Sequence, residues 1–254
     1  MTTDKKGTGP QILMATGKKE AYPQILMATG NPHRIDYFSR KLAERGIRLL
    51  APADLGLSAE AEETGISPVD NARLKVLSLL KAAADRNLET RPVFAMDEGL
   101  YLDGVPEELQ PGLHVRRLNG HRLNDEEMID HYLSLVHQYG DSGQLTGYFL
   151  KGICVCVPAP ANAHIPATSS SGISTVPEAR FFTFEMKAHR VFTSERSEKV
   201  TEGYPLASIQ RIPLFDKFKS ELTEEEERQV VDVENQPILD FIEKKLKFAF
   251  QKDT

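Results

Sequence analysis

Residues 24–30, QILMATG, form a short apolar run that ends in Thr-Gly and gives way at once to a different periodicity. From Arg34 to Arg45 the apolar residues Ile35, Phe38 and Leu42 recur at spacings of 3 and 4, with Gly46 as a stop, and IRLLAP then reads as a second strand. The alternation continues down the chain. ISPVDNARLKVLSLLKAAADR predicts a strong helix: Ser67 can cap it, Pro68 fits its first turn, and Val69, Ala72, Leu74, Val76, Leu79 and Leu80 form its apolar side. RPVFAMDEGLYLDG reads as a strand, a turn and another short strand, and a further helix is expected from about Asn124 to Tyr139. LTGYFLKGICVCVP and RFFTFEMKAHRVFTSE have strand character, and from Thr223 the chain is helical, with an acidic first turn suited to a helix N-terminus. Strands that interleave with helices and also pair as neighbours predict an α/β fold with a mixed sheet.

Two segments stand outside this pattern. The octapeptide PQILMATG occurs twice, at 10–17 and 23–30, with only KKEAY between the copies. The second copy has a helix behind it and the first does not, so residues 1–22 are expected to be a duplicated extension, disordered or loosely packed, and 23–254 a single domain. A register swap between the copies is the alternative. PAPANAHIPATSSSGISTVPEA lacks periodicity and reads as an excursion between paired strands.

The 254 residues suffice for one large domain or two lobes, and a net charge of −6 gives no global signature of a nucleic-acid or anionic-membrane partner. No run approaches the roughly 18 apolar residues of a membrane span, and MTTDKKGTG lacks the apolar core of a signal peptide. Cys154 and Cys156, the only cysteines, alternate along GICVCV and so share one strand face, which reads as core packing in a cytoplasmic protein.

Three stretches carry chemistry. In ATGNPHR a strand ending in Thr29, Gly30 and Asn31 enters a helix, so backbone N–H groups and a hydroxyl gather where an anion could sit, and Arg34 adds a fork of donors suited to phosphate. Alone, such turns are common. In EETGISPVDNARLK, Glu62 and Glu63 precede a glycine turn and could hold a hard cation, while Asn71 and Lys75, four apart, project from one helix face. A solvated loop and a surface lysine would look the same. In AMDEGL, Asp97 and Glu98 end an apolar strand beside a turn, a position suited to a metal or a general base, or to an ordinary hairpin.

In this order, and followed by PGLHVRRLNG, these stretches resemble the inosine/xanthosine triphosphate pyrophosphatase family, which carries ATGN-x-x-K, EETG with an ENA-x-x-KA helix, A-D-D-S-G-L and PG-x-x-(S)-A-R. The resemblance spans about Ile25 to Gly120 and continues more faintly through GYFLKGICVCVP and PLFDKFKSELTEEE. It implies an elongated mixed sheet with two lobes around a central cleft, a homodimer, and Mg²⁺-dependent hydrolysis of non-standard purine nucleoside triphosphates to a monophosphate and pyrophosphate. Carried over by position, Thr29, Gly30, Asn31 and Arg34 would bind the triphosphate, with Arg34 in place of the usual lysine. Asn71 and Glu98 would line the substrate site, Lys75 would reach phosphate, and Arg116 or Arg117, of which Arg117 aligns better, would take the place of the Ala-Arg arginine. Glu63 and Asp97 would hold Mg²⁺, and Asp97 would orient or deprotonate the attacking water.

The chain departs from that pattern in places. Met96 stands where the family has its first aspartate and Glu98 where it has serine. The base-reading G-F-G-Y-D-P-x-F segment is reduced to IQRIPLF, with a Gly-Tyr-Pro kept upstream in EGYPLASI, and VVDVENQP stands where S-H-R-G is expected. The competing reading is therefore a nucleotide-binding pseudoenzyme acting as a regulatory or interaction module; a third is hydrolysis of a different nucleotide by the same phosphate machinery. The remaining histidines, His131 and His137 among them, lack ligand spacing and read as surface residues.

Overall fold

The computed structural model of the protein describes residues 23–89, 91–158 and 179–250; the first PQILMATG copy and the excursion from 159 to 178 lie outside them. Strand β1 (Gln24–Met27) comes from the second copy, and α1 (Pro32–Ala43) follows it. Asn31 caps α1, its Oδ1 accepting from the N–H groups of His33 and Arg34 at 3.0 and 3.2 Å, and Pro32 fills the first position, where no donor is needed. After β2 (Arg48–Leu50) comes α2 (Pro68–Ala84), capped as expected by Ser67 Oγ, which accepts from the Asp70 N–H.

Strand β3 (Val93–Leu102) is continuous, ten residues long, and so corrects the expected strand–turn–strand at MDEGL. It pairs antiparallel with the fifteen-residue β6 (Gln144–Pro158) without a break, from Val93 opposite Cys156 to Leu102 opposite Gly147. Gly99, which reads as a turn signal, is instead a close approach: a Cβ there would lie 2.9 Å from the Gly112 carbonyl oxygen.

A small hairpin of β4 (Arg117–Leu118) and β5 (His121–Arg122) precedes α3 (Asp125–Tyr139). Beyond β6 lie β7 (Ala179–Thr193), β8 (Gln210–Ile212), β9 (Lys217–Phe218) and α4 (Glu224–Phe250). Among the described residues the main sheet has seven strands in the order β2-β1-β3-β6-β7-β8-β9; β1 is parallel to β2 and β3, and the other pairings are antiparallel. This is the mixed α/β sheet expected from the sequence.

Side-chain alternation along β3 divides the molecule. Val93 and Ala95 face α2, packing with Ala72, Val76, Leu79, Cys154 and Cys156. Phe94 and Met96 face the other way, against Phe38 of α1 and Ile238 and Ile242 of α4. Farther along that second face, Leu100 and Leu102 join Ile129 and Tyr132 of α3. Each fully buried side chain of this size contributes about 1.5–3 kcal/mol. Between these two apolar clusters the same face carries a polar band: Glu98 of β3, Lys151 of β6 and Arg190 of β7, a lobe on either side.

The cysteines are core residues, as expected: burial pushes the Cys154 thiol up to about 12 and that of Cys156 to about 11, so neither is a nucleophile near neutral pH. His131 differs from the surface reading. It is half-buried against the Tyr132 ring, and burial holds its imidazole below the usual histidine range. Among the described residues no helix is long and apolar enough to cross a membrane.

Candidate active site

The site begins where a strand ends. β1 last bonds β3 through the Ala28 N–H to the Phe94 carbonyl, at 2.8 Å, and the next partner on that edge is Gly112, opposite Leu100. In between, the edge of β3 from Ala95 to Gly99 has no neighbouring strand among the described residues, and Asp97 and Glu98 lie in that gap. The turn after β1 adjoins it, with Thr29 Oγ1 accepting from the Asn31 N–H at 3.2 Å.

Asp97 projects toward α2. Lys75 Nζ donates to Asp97 Oδ1 at 2.6 Å and Asn71 Nδ2 donates to Oδ2 at 3.0 Å, so the two residues spaced four apart on one helix face hold the two carboxylate oxygens. Lys75 Nζ also lies 2.8 Å from Glu63 Oε1. Asn71 in addition accepts from the Gly65 N–H at 2.9 Å, which ties the EETG loop to the helix. Lys75 and Asp97 are each 14% exposed at the side chain, shielded but not sealed from solvent.

One ammonium thus lies between two carboxylates from separate parts of the chain. That donor set suits a hard divalent cation such as Mg²⁺, which takes one or two protein carboxylates and completes its shell with water and substrate phosphate oxygens. Among the described residues no group of three or more histidine, cysteine or acidic side chains could hold an ion unaided.

Met96, in place of the family's first aspartate, packs in the core with Phe94 and Ile153 on the face opposite Asp97. The missing carboxylate is therefore not one subtracted from the Asp97 side. Glu98 is likewise turned away from Asp97 and cannot share its ion. Its Oε1 accepts from Arg34 Nη2 at 2.9 Å. Two positions that depart from the family pattern, Arg34 and Glu98, are partners, and Arg34 is already engaged rather than waiting for phosphate.

A cleft of about 460 Å³ adjoins Glu63 and is otherwise lined by Leu113, His114, Val115, Arg116 and Arg117. The two arginines separate in role. Arg116 is committed: it donates to Asp125 Oδ1 at 2.6 Å and to the Gly203 carbonyl at 3.0 Å, while the Gly203 N–H donates to Asp125 Oδ2 at 3.1 Å. The hydrogen bond from Arg116, with that from Gly203, holds the Asp125 carboxyl below the usual range. Arg117 is exposed and stands directly opposite Arg122 in the hairpin, like charge against like charge, an arrangement that favours an anion beside it.

The Ham1 family model matches residues 25–179 of the sequence. The chain belongs to the Ham1 family. Curated relatives include the dITP/XTP pyrophosphatase of Legionella pneumophila (strain Paris), 35% identical over 127 residues, which cover 48% of this chain and 60% of that protein. The dITP/XTP pyrophosphatase of Halalkalibacterium halodurans is 26% identical over 200 residues, 79% of this chain and 88% of that protein. The chain thus spans little more than half the length of some relatives, 54% for the protein of Legionella pneumophila (strain Lens). Among solved structures, the dITP/XTP pyrophosphatase of Mycobacterium abscessus is similar with a TM-score of 0.58 at 21% identity, covering 86% of this chain and 98% of that one. The Ham1 protein of Staphylococcus aureus has a TM-score of 0.56 at 21% identity, with 87% and 99% covered. At such identities these structures speak for the fold.

Within this Ham1 chain the structure joins Glu63, Asn71, Lys75 and Asp97 directly, lines one cleft with both Glu63 and Arg117, and places Arg34 with Glu98 on the other sheet face. Sequence reasoning missed Gly152, although an isolated glycine inside the strand pattern KGICV is a signal of close backbone approach. It also missed the ion group in the polar band. Glu234 of α4 lies 3.1 Å from Lys151 Nζ and 2.7 Å from Arg190 Nη1. VVDVENQP, which stands where the family has S-H-R-G, docks α4: Asp232 accepts from Tyr37 at 3.0 Å and from Lys41 at 2.7 Å, and Glu234 and Asn235 face Lys151.

Proposed function

We propose that the chain is a Mg²⁺-dependent nucleoside triphosphate pyrophosphatase that hydrolyses the bond between the α- and β-phosphates, releasing a nucleoside monophosphate and pyrophosphate. The observation that carries this reading is the Glu63–Lys75–Asp97 bridge at an open strand edge, with Glu63 also lining a cleft that holds the exposed cation Arg117, which has no ion-pair partner among the described residues. Family membership and relatives named dITP/XTP pyrophosphatases support it.

Each residue has work its chemistry suits. Glu63 and Asp97 would hold the divalent ion, which when bound supplies positive charge to the phosphate oxygens. Lys75 would turn from the carboxylates to a phosphate oxygen, and Arg117 would bind the phosphate chain from the opposite wall. Asn71 keeps the Asp97 carboxylate oriented. Asp97 would accept the proton of the attacking water as the water oxygen bonds to the α-phosphorus, the bond from that phosphorus to the bridging oxygen breaks, and the bridging oxygen leaves with pyrophosphate. Phosphoryl transfer depends on positioning and charge stabilisation, and this set provides both. Thr29, Gly30 and Asn31 form the turn at the positive end of α1; the Thr29 and Asn31 N–H groups donate to the Met27 carbonyl and to Thr29 Oγ1, so the Gly30 N–H would be the backbone donor for a phosphate there.

The base would lie on the polar band side, against Tyr204. Tyr204 as a whole residue is 37% exposed, and Lys219 Nζ lies 5.5 Å from its ring centroid. Assembly as a homodimer and a cytoplasmic location belong to the same reading and rest on family membership alone.

The test is pyrophosphate release across a panel of nucleoside triphosphates, inosine and xanthosine forms included, with and without Mg²⁺. Metal-dependent release is expected from at least one. Silence across the panel from folded protein would overturn the reading in favour of a nucleotide-binding module.

A further inference from the structure

We propose that Asp125 is a positioning residue for the reaction: acting through Arg116, it fixes the cleft wall from which Arg117 reaches the phosphate chain. The inference rests on the function proposed above and adds to it a residue that touches neither substrate nor metal.

The wall is the segment 111–118, and its anchors follow one another along the chain. Gly112 exchanges two backbone hydrogen bonds of 2.9 Å with Leu100 of β3, and the Tyr132 hydroxyl donates to the Val115 carbonyl at 3.0 Å. Arg116 is the next anchor. Its carbonyl accepts from the Leu123 N–H at 3.0 Å. Its guanidinium closes a ring, donating to Asp125 Oδ1 at 2.6 Å and to the Gly203 carbonyl at 3.0 Å, while the Gly203 N–H donates to Asp125 Oδ2 at 3.1 Å. Both oxygens of the carboxylate are used, and the contact to Arg116 is charge-assisted on both sides.

Arg117 needs a fixed neighbour. It is exposed, lines the cleft with Glu63, and stands directly opposite Arg122 in the β4–β5 hairpin. Residues opposite one another across a strand pair point to the same face with their Cβ atoms about 5 Å apart, so the two guanidinium groups repel each other at the cleft. Neither has an ion-pair partner among the described residues. With the ring closed, that repulsion cannot be relieved by swinging the wall away, and Arg117 stays where a phosphate chain can meet it.

Other roles fit Asp125 less well. It occupies the first position of α3, where a carboxylate often serves the helix end, but that end is already closed. Asn124 Oδ1 accepts from the Glu127 N–H at 3.0 Å, and the Asn124 N–H donates to Glu127 Oε2 at 2.8 Å. The two-pronged contact of Arg196 with Glu126, at 2.7 and 2.8 Å, ties the same helix to the segment after β7 without Asp125.

The test is steady-state kinetics with Mg²⁺ and the nucleoside triphosphate that releases most pyrophosphate, in wild type, D125N, R117Q and D125N/R117Q. R117Q should raise KM roughly tenfold, the worth of a hydrogen bond between charged groups. D125N should raise KM roughly fivefold with kcat within about twofold, because the binding lost is shared by ground and transition states. In the R117Q background D125N should change KM by less than about twofold, since no Arg117 is left to position. A wild-type KM in D125N would overturn the proposal. So would an equal loss from D125N with and without Arg117, which would make Asp125 a purely structural residue. R116Q, which opens the ring from the other side, replaces D125N if that variant does not fold. No turnover by the wild-type protein with any nucleotide would overturn this proposal together with the pyrophosphatase reading.

Discussion

Asp97 and Gly152 face each other across the β3–β6 pair, and the missing side chain of one positions the partners of the other. A Cβ on Gly152 would run into the backbone of Pro68 and Val69, so the bare strand lets the first turn of α2 settle directly on the sheet. From that seat Asn71 and Lys75 reach the Asp97 carboxylate.

Gly152→Ala should therefore act on stability and chemistry together. Overpacking of this kind costs about 1–3 kcal/mol. Displacing α2 by even an ångström should lower kcat/KM about a hundredfold. Thermal melting and pyrophosphate release measure the two effects, and normal turnover in the variant would mean that the contact does not position the site.

Asp97→Asn removes the charge and keeps the shape. Turnover should fall by about 10²–10⁴, the range for losing a positioned base. Lys75 keeps Glu63 as a partner, so the variant should still fold, with a melting temperature a few degrees lower. Unchanged turnover would remove Asp97 from the mechanism.

Lys75 occupies the place between the two carboxylates that a divalent ion would take. Mg²⁺ should accordingly bind the nucleotide-free protein weakly, and chelation should abolish turnover. Lys75→Met should bind Mg²⁺ more tightly without nucleotide, measured by calorimetry, while turnover drops. Weaker metal binding in Lys75→Met would contradict the shared location.

Acid sensitivity should trace to Glu234. Burial by itself would raise its carboxyl, but the hydrogen bond and charge of Arg190, with those of Lys151, outweigh burial and hold it below the usual range. A folded-state pKa lower than the unfolded one means that the unfolded chain binds the proton more tightly. The stabilisation is then present above the unfolded value of about 4.3 and is lost as pH falls through the folded one. Glu234→Gln should lower stability at pH 7 by about 3–5 kcal/mol, because it strands two buried cations. It should also flatten the acid side of the stability profile. An equally steep acid limb in the variant would assign the effect elsewhere.

Much of the site was legible because it is local. The Asn31 and Ser67 caps, the Asn71–Lys75 stripe and the paired burial of Cys154 and Cys156 follow from spacings of a few residues, and helix and strand geometry convert such spacings into directions. Membership of the family was legible for a related reason: its motifs are short stretches that each carry their own turn or helix start. MDEGL was misread because a glycine after two acids resembles a turn, and only the unbroken partner strand β6 shows that the chain runs straight through. Once it does, Asp97 and Glu98, neighbours in sequence, lie on opposite faces of a sheet with different partners.

The sequence by itself determined the elements, their caps and the kinds of charge available, since these depend on propensity and periodicity within one segment. Only the tertiary structure decided which charges meet. Lys75 joins Glu63 to Asp97, Arg34 is drawn to Glu98, and Glu234 gathers Lys151 and Arg190, from positions up to 83 residues apart. Such pairings follow from strand order and register, set by how the apolar faces of α1, α2, α3 and α4 cover the two sides of the sheet. No local pattern encodes that choice, because it is a property of the packed core as a whole.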